Sequence, residues 1–214
     1  MIFTIPQEDV LAQLLLQLKS HFLVLEEEEK VIKTRFEYAL AACEENFLHS
    51  NNKYYLIEVG GAKCCRFNPY HSVQYMTFLY YLSHDIFKNA NVGQLCDKIY
   101  YLNKILHSVD LFYAIELPTR FGAEHPLGAV MGRAKYSNGF FFYQGCTVGG
   151  TRDKEGNLFY PVIEENVHMY SNSSILGCCH IGRNAQIGAG ALVKNQDVPA
   201  DSIVFGQSPN LIIK

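Results

Sequence analysis

Ile163, Met169, Ile175, Ile181, Ile187 and Val193 recur at a strict spacing of six toward the C-terminus. Four positions after each of the first five stands a small residue: Val167, Ser173, Cys179, Ala185 and Ala191. A helix repeats about every 3.6 residues and a strand every two, so neither produces this pattern. A fixed hexad is the signature of a parallel β-helix, in which each period contributes one short strand and one turn. The aliphatic residue is predicted to point inward and the small residue to sit where the coil turns tightly. Ile181-Gly182 and Ile187-Gly188-Ala189-Gly190 supply backbone freedom for such corners.

The chain has 214 residues, enough for one or two domains with a substantial core. A net charge of −3 gives no electrostatic footprint for nucleic acid or an anionic membrane. Glu26 to Glu29, followed by Lys30, Lys33 and Arg35, read as a solvated helix face or turn. The N-terminus carries Glu8 and Asp9 and no basic stretch, so no signal peptide is expected. No uncharged apolar run reaches the ~18 residues of a membrane span. Seven cysteines without an export signal point to reduced thiols in a cytoplasm. Cys64-Cys65 and Cys178-Cys179 are adjacent pairs, which is not the spacing of a metal or redox site, so no metal is expected.

The first half has a different character. Val10, Leu11, Leu14, Leu15, Leu18 and Phe22 recur at helical spacing, as do Ile32, Phe36, Leu40, Cys43 and Phe47. A third helix is predicted after Asn68-Pro69 through Val73, Met76, Leu79, Tyr80 and Phe87, ending near Asn89-Ala90-Asn91. A fourth passes through Leu95, Ile99, Leu102 and Ile105. Asn51-Asn52 and Gly60-Gly61 mark turns between these patterns. The aromatic content of this region reads as core and subunit-interface packing. Farther on, Leu111, Leu117, Ala123, Ala129 and Phe141 share one phase of six, broken by Lys135. Residues 150–160 interrupt the register with polar and glycine residues, as a protruding loop that shapes a binding site does. The expected architecture is α+β: an α-helical domain over 1–108, then a parallel β-helix over 109–214.

Three pieces occur in a telling order: Gly122-Ala-Glu-His125-Pro-Leu-Gly-Ala-Val-Met-Gly132, Gln144 through Val148-Gly-Gly-Thr151, and Tyr160-Pro-Val-Ile163. Together they resemble the serine acetyltransferase group of hexapeptide-repeat acyltransferases, from about residue 109 to 210. The resemblance implies a left-handed β-helix and transfer of acetyl from acetyl-CoA to a hydroxyl. It makes His125 the general base and Asp110, fifteen residues earlier, the carboxylate that orients it. With about eighteen residues per coil, that separation predicts Asp110 almost directly beneath His125. Cys146, a competent nucleophile in principle, reads instead as small filler beside Gly145. The resemblance also implies a homotrimer or a dimer of trimers, with coenzyme A in the seam between β-helices. Gly150, Ser171 and Ala189 would let the pantetheine approach the backbone, and Lys194 would meet a coenzyme phosphate.

The chain departs from that family in its acceptor residues. Members carry Asp-Arg-His-Pro where this chain has Leu158-Phe159-Tyr160-Pro161. A phenyl ring cannot form the bidentate pair that a carboxylate favours. Glu124 stands in place of an aspartate, and Asn68-Pro69 in place of an Asp-Pro that helps hold the substrate ammonium. These changes predict a less charged, more aromatic acceptor pocket built from Glu124, Phe159, Tyr160 and Asn68. The reading that follows is O-acetylation of a carbohydrate or related hydroxyl compound, as in polysaccharide biosynthesis. The alternatives are serine O-acetylation for cysteine synthesis, with Arg152 or Arg133 as the carboxylate clamp, and a non-catalytic trimeric β-helix scaffold. A zinc-dependent carbonic anhydrase is disfavoured, because His168 and His180 lie two hexads apart and face different sides of the prism.

Overall fold

The computed structural model describes residues 1–50, 52–90 and 92–214, so the turns expected at Asn51 and Asn91 lie outside the described residues. The chain divides into two compact units, Met1–His107 and Ser108–Lys214.

In the first unit β1 (Ile2–Phe3) precedes helices α1 (Gln7–His21) and α2 (Glu26–Leu48). Strands β2 (Leu56–Val59) and β3 (Ala62–Phe67) follow, then helices α3 (Ser72–Asn89) and α4 (Gly93–His107). The helical periodicities land on the core: Val10, Leu14 and Leu18 of α1 are buried, and so are Ile32, Phe36, Leu40, Cys43 and Phe47 of α2. Helix α3 is buried on nearly every side between α2 and α4, as expected of a helix with few charges.

Two expectations for this unit are corrected. It is not purely helical: β1, β3 and β2 form a three-stranded sheet in that order. Gly60 and Gly61, at φ 59° and 81°, close the β2–β3 hairpin through the left-handed conformations that a two-residue loop requires. Two glycines flanked by short alternating runs carried that signal, which the longer helical pattern around it masked. Nor are the four glutamates all solvated. Glu28 is buried; its Oε2 accepts the Leu25 N–H at 2.9 Å, capping α2, and Lys98 donates to Oε1 at 2.7 Å and Oε2 at 2.8 Å. Arg35 and Asp85 form a second, part-buried ion pair between α2 and α3.

The second unit is a parallel β-helix. Its three faces are ladders of two- and three-residue strands, closed on the second face by the five-residue Ile203–Gln207. The first contains Asp110–Leu111, Val130–Met131, Thr147–Gly149, Ser174–Leu176 and Leu192–Lys194. The second contains Phe121–Ala123, Phe140–Phe142, His168–Met169, Gln186–Ile187 and Ile203–Gln207. The third contains Lys135–Tyr136, Val162–Ile163 and His180–Ile181. Val162 pairs with His180, eighteen residues on, so three hexads make one coil. All six hexad aliphatics from Ile163 to Val193 are fully buried, and all five small partners are buried with them. Each buried aliphatic side chain contributes about 1.5–3 kcal/mol relative to exposure, and the core is one continuous column of them.

Upstream the phase differs from expectation. Phe140 and Phe142 are the buried residues, while Phe141 points outward and lays its ring over Gly122. Alternation along a strand sends neighbours to opposite sides, so a phase set one residue off inverts the assignment.

Asparagine shares the corners with glycine: Gly128, Gly139, Gly145, Gly177 and Gly190 take positive φ, whereas Gly182 and Gly188 do not. Asn166, Asn172, Asn184 and Asn195 all take φ between 49° and 60°, the left-handed region that asparagine tolerates best among residues with a side chain. Along one edge Asn166 donates to Asn184 at 3.1 Å and Asn184 to Asp201 at 2.7 Å, tying successive coils together. Gly182 is required for space rather than for φ: a Cβ there would sit 2.4 Å from the Ala200 nitrogen. Gly182→Ala is expected to reduce unfolding free energy by about 1–3 kcal/mol, the usual cost of forcing extra volume into packed backbone; a denaturant titration of the variant reads this directly.

Candidate active site

His125 lies in the corner that joins the second face to the first. The strand Phe121–Ala123 ends, Glu124 N–H bonds the Phe142 carbonyl at 3.1 Å, and the chain turns through His125. His125 has φ 50°, and Leu127 N–H closes the turn on its carbonyl at 2.8 Å. Pro126 cannot continue a ladder, which fits a turn at this point. The imidazole is well exposed, and its Nε2 stands 3.9 Å from Glu124 Oε1.

Asp110 opens the face into which this turn feeds. Its N–H bonds the Ala129 carbonyl at 2.8 Å, and Gly128 N–H bonds the Ser108 carbonyl at 2.8 Å, so the His125–Ala129 turn passes over Ser108–Asp110. In the ladder Asp110 pairs with Val130 rather than with His125. The first coil is thus longer than three hexads, because residues 112–120 carry extra chain between the two faces.

Backbone bonds stack further coils above the His125 corner. Gly145 N–H reaches Leu127 O, Asn172 N–H reaches Gln144 O and Gly190 N–H reaches Ser171 O, at 2.8–2.9 Å. Gln144, Ser171 and Ala189 therefore run up the same edge as His125. Ser171 is half-buried and Ala189 exposed. The Gln144 Oε1 is buried with no hydrogen-bond partner among the described residues, an acceptor left open on this edge. No sequence pattern marked that atom, since its isolation depends on the coils above and below. Cys146 is fully buried, with its thiol directed at the Met169 and Tyr170 carbonyls (3.4 and 3.2 Å), in keeping with a packing role.

The other site residues of this unit lie elsewhere. Residues 151–159 form a hairpin at the corner between the first and third faces, with Thr151 opposite Phe159 and Arg152 opposite Leu158. Phe159 is exposed on it. The Tyr160 ring covers Gly150, where an added Cβ would lie 2.8 Å from the ring. Gly150 thus leaves room for Tyr160. Lys194 ends the first face at the same corner and, with Asn195, Gln196, Ser208 and Pro209, lines a groove of about 290 Å³. Within one chain, then, Ser171 and Ala189 share an edge with His125, whereas Gly150, Phe159, Tyr160 and Lys194 share another. Asn68 belongs to the first unit, where its Oδ1 accepts from Tyr70 N–H at 3.0 Å and from Thr4 Oγ1 at 3.2 Å. His168 is on the second face and His180 on the third, the latter 3.0 Å from Glu164. Among the described residues no group of three His, Cys, Asp or Glu side chains could hold a metal. No described helix is long and apolar enough to cross a membrane.

The family described as bacterial transferase hexapeptide (six repeats) matches residues 160–195. The serine acetyltransferase of Bacillus pumilus is 30% identical over 125 residues, covering 55% of this chain and 57% of that protein. The serine acetyltransferase of Synechococcus elongatus is 33% identical over 107 residues, covering 50% of this chain and 43% of its own. A solved serine acetyltransferase in complex with CoA superposes with a TM-score of 0.65 at 19% identity, over 87% of this chain and 75% of that one. This is a serine acetyltransferase-like hexapeptide-repeat chain. The fold of its second unit is accordingly the left-handed β-helix. The Neisseria gonorrhoeae serine acetyltransferase agrees, with a TM-score of 0.63 at 24% identity over 87% of this chain and 69% of that one. The chain spans about half the length of the curated relatives it matches.

These relatives overturn the expectation of a carbohydrate acceptor and of polysaccharide biosynthesis, since they are serine acetyltransferases. That expectation rested on Phe159 and Tyr160 forming an aromatic platform beside His125. In the chain the Tyr160 ring lies over Gly150 instead.

Proposed function

We propose that this chain is an acetyl-CoA-dependent O-acetyltransferase whose acceptor is L-serine. The observation that carries the reading is the single edge on which His125, Gln144, Ser171 and Ala189 line up. An exposed imidazole there flanks a strip of small residues along which an extended thioester can lie against backbone. The acceptor hydroxyl attacks the thioester carbonyl while His125 takes its proton. The tetrahedral intermediate then expels the CoA sulfur, which recovers that proton from the imidazolium, giving O-acetylserine and free thiol. Asp110 is assigned the orienting role and Glu124 the recognition of the acceptor's ammonium. Phe159 offers no charge to the acceptor's carboxylate. Arg152, which donates to the Gly156 carbonyl at 2.7 Å within its own hairpin, and the exposed Arg133 are the cations proposed for it.

The separation of the two edges is the reason to propose a homotrimer. A neighbouring copy would bring its Gly150–Lys194 edge against the Ser171–Ala189 edge and close the coenzyme seam from both sides. The expected result in light scattering at micromolar concentration is three protomers or a multiple of three; a monomer contradicts it. Seven free thiols suit a cytoplasmic setting.

Thiol release from acetyl-CoA tests the acceptor. L-Serine is expected to be turned over with a specificity constant of about 10⁴ M⁻¹s⁻¹ or more, the range of a true substrate. Release no faster with serine than with water alone would end the serine reading.

A further inference from the structure

Next to the edge just described, the second face carries an outward column of which the proposed chemistry uses only the first residue, Glu124. Ala123, Phe142, Met169, Ile187 and Val204 are in register and buried, so the residues that follow them face outward: Glu124, Tyr143, Tyr170, Gly188 and Phe205. Tyr143 and Tyr170 stack, with centroids 5.5 Å apart and planes within 13°. The Tyr170 hydroxyl donates to Gln186 Oε1 at 3.3 Å, which fixes the outer ring of the pair. Glu124 follows Ala123 as Tyr143 follows its ladder partner Phe142, so the two side chains leave paired strands side by side, and Glu124 Oε1 lies 3.9 Å from His125 Nε2.

We propose that Tyr143 is a positioning residue: its phenol, immobilised by the stack on Tyr170, holds the Glu124 carboxylate beside His125 Nε2, where the acceptor is received. This rests on His125 and Glu124 being the proposed base and acceptor contact. Glu124 is otherwise half exposed on a chain turn, and a free glutamate would sample several rotamers. A donor fixed on a packed ring selects the one that faces the imidazole. Burial, the Glu124 carboxylate and Tyr170 together raise the Tyr143 pKa, so the phenol stays protonated and remains a donor. Removing its hydroxyl should therefore weaken acceptor recognition and spare both the base and the coenzyme.

Two measurements on the full chain decide this. In the first, tyrosine 13Cζ NMR follows phenol titration, with the Tyr143 signal assigned by its loss in Tyr143→Phe. In the wild type it should titrate above the ordinary tyrosine range and move down in Glu124→Gln. An unchanged midpoint means that the contact does not exist and overturns the proposal, whatever the acceptor is. In the second, Tyr143→Phe, which keeps the stack, should raise KM for L-serine about five- to twenty-fold. Its kcat and its KM for acetyl-CoA should stay within about two-fold. Adding Tyr143→Phe to Glu124→Gln should cost nothing more, because both remove the same contact. An unchanged serine KM, or effects that multiply independently, rejects the positioning role. If the wild type releases no thiol with serine, the serine reading fails, and the titration alone decides whether Tyr143 holds Glu124.

Discussion

His125→Ala should lower turnover by about two to four orders of magnitude, the usual worth of a general base. Without the imidazole the acceptor oxygen must attack while still carrying its proton, or lose it to water. The loss should fall on kcat, because the exposed imidazole supports no packing and the proposed thioester path runs along other residues of the edge. One confounding effect is foreseeable: at φ 50° alanine is strained by about 1–2 kcal/mol, whereas asparagine accepts the conformation. His125→Asn is therefore the cleaner variant, with the turn kept and the base gone. Both should retain the oligomer in light scattering and the wild-type circular dichroism. Asp110→Asn should give a smaller loss by freeing the imidazole's orientation and tautomer. Turnover within ten-fold of wild type in His125→Asn would remove His125 from the chemistry.

Lys98→Ala should cost about 3–5 kcal/mol of stability, the largest effect expected from a residue of the first unit. Lys98 is the ion-pair partner of Glu28, a carboxylate only 4% exposed. Removing the ammonium leaves an uncompensated charge in the core of the helical unit. Glu28 cannot simply rotate to water, because its Oε2 also caps the first turn of α2 through Leu25 N–H. The double variant Glu28→Gln/Lys98→Met should recover most of the loss: the amide oxygen still caps the helix and no charge remains buried. Denaturant titration followed at 222 nm reads all three proteins. A Lys98→Ala midpoint within error of wild type would show that the pair contributes nothing.

The hexad of Ile163 to Val193 was enough to specify the β-helix, because one buried column and one turn repeat with the same period and each residue's role depends only on its place in the six. The four helices of the first unit were legible for a related reason, their apolar stripes being longer than any competing pattern. The β2–β3 hairpin was not read, since four- and six-residue strands carry few alternations and their sheet forms only when β1 returns beside β3. A phase of six puts Phe141 inward, one residue off the register that only the pairing of Gly122 with Phe141 supplies.

At the candidate site the division is sharper. The amino-acid sequence determined which chemical groups are present: an imidazole, two carboxylates, a strip of small residues and a loop without the expected arginine. The tertiary structure decided which of them meet. Coil lengths are not uniform, with extra chain at 112–120 and again at 151–159, so counting by six could not place Asp110 in register with Val130 or set Phe159 and Tyr160 on the edge away from His125. It was the winding of the coils that put Tyr143 under Tyr170 and beside Glu124, residues 27 and 19 positions away. Hydrogen bonding between coils fixes such distances, and local sequence has no access to a partner that arrives only after the chain has gone once around.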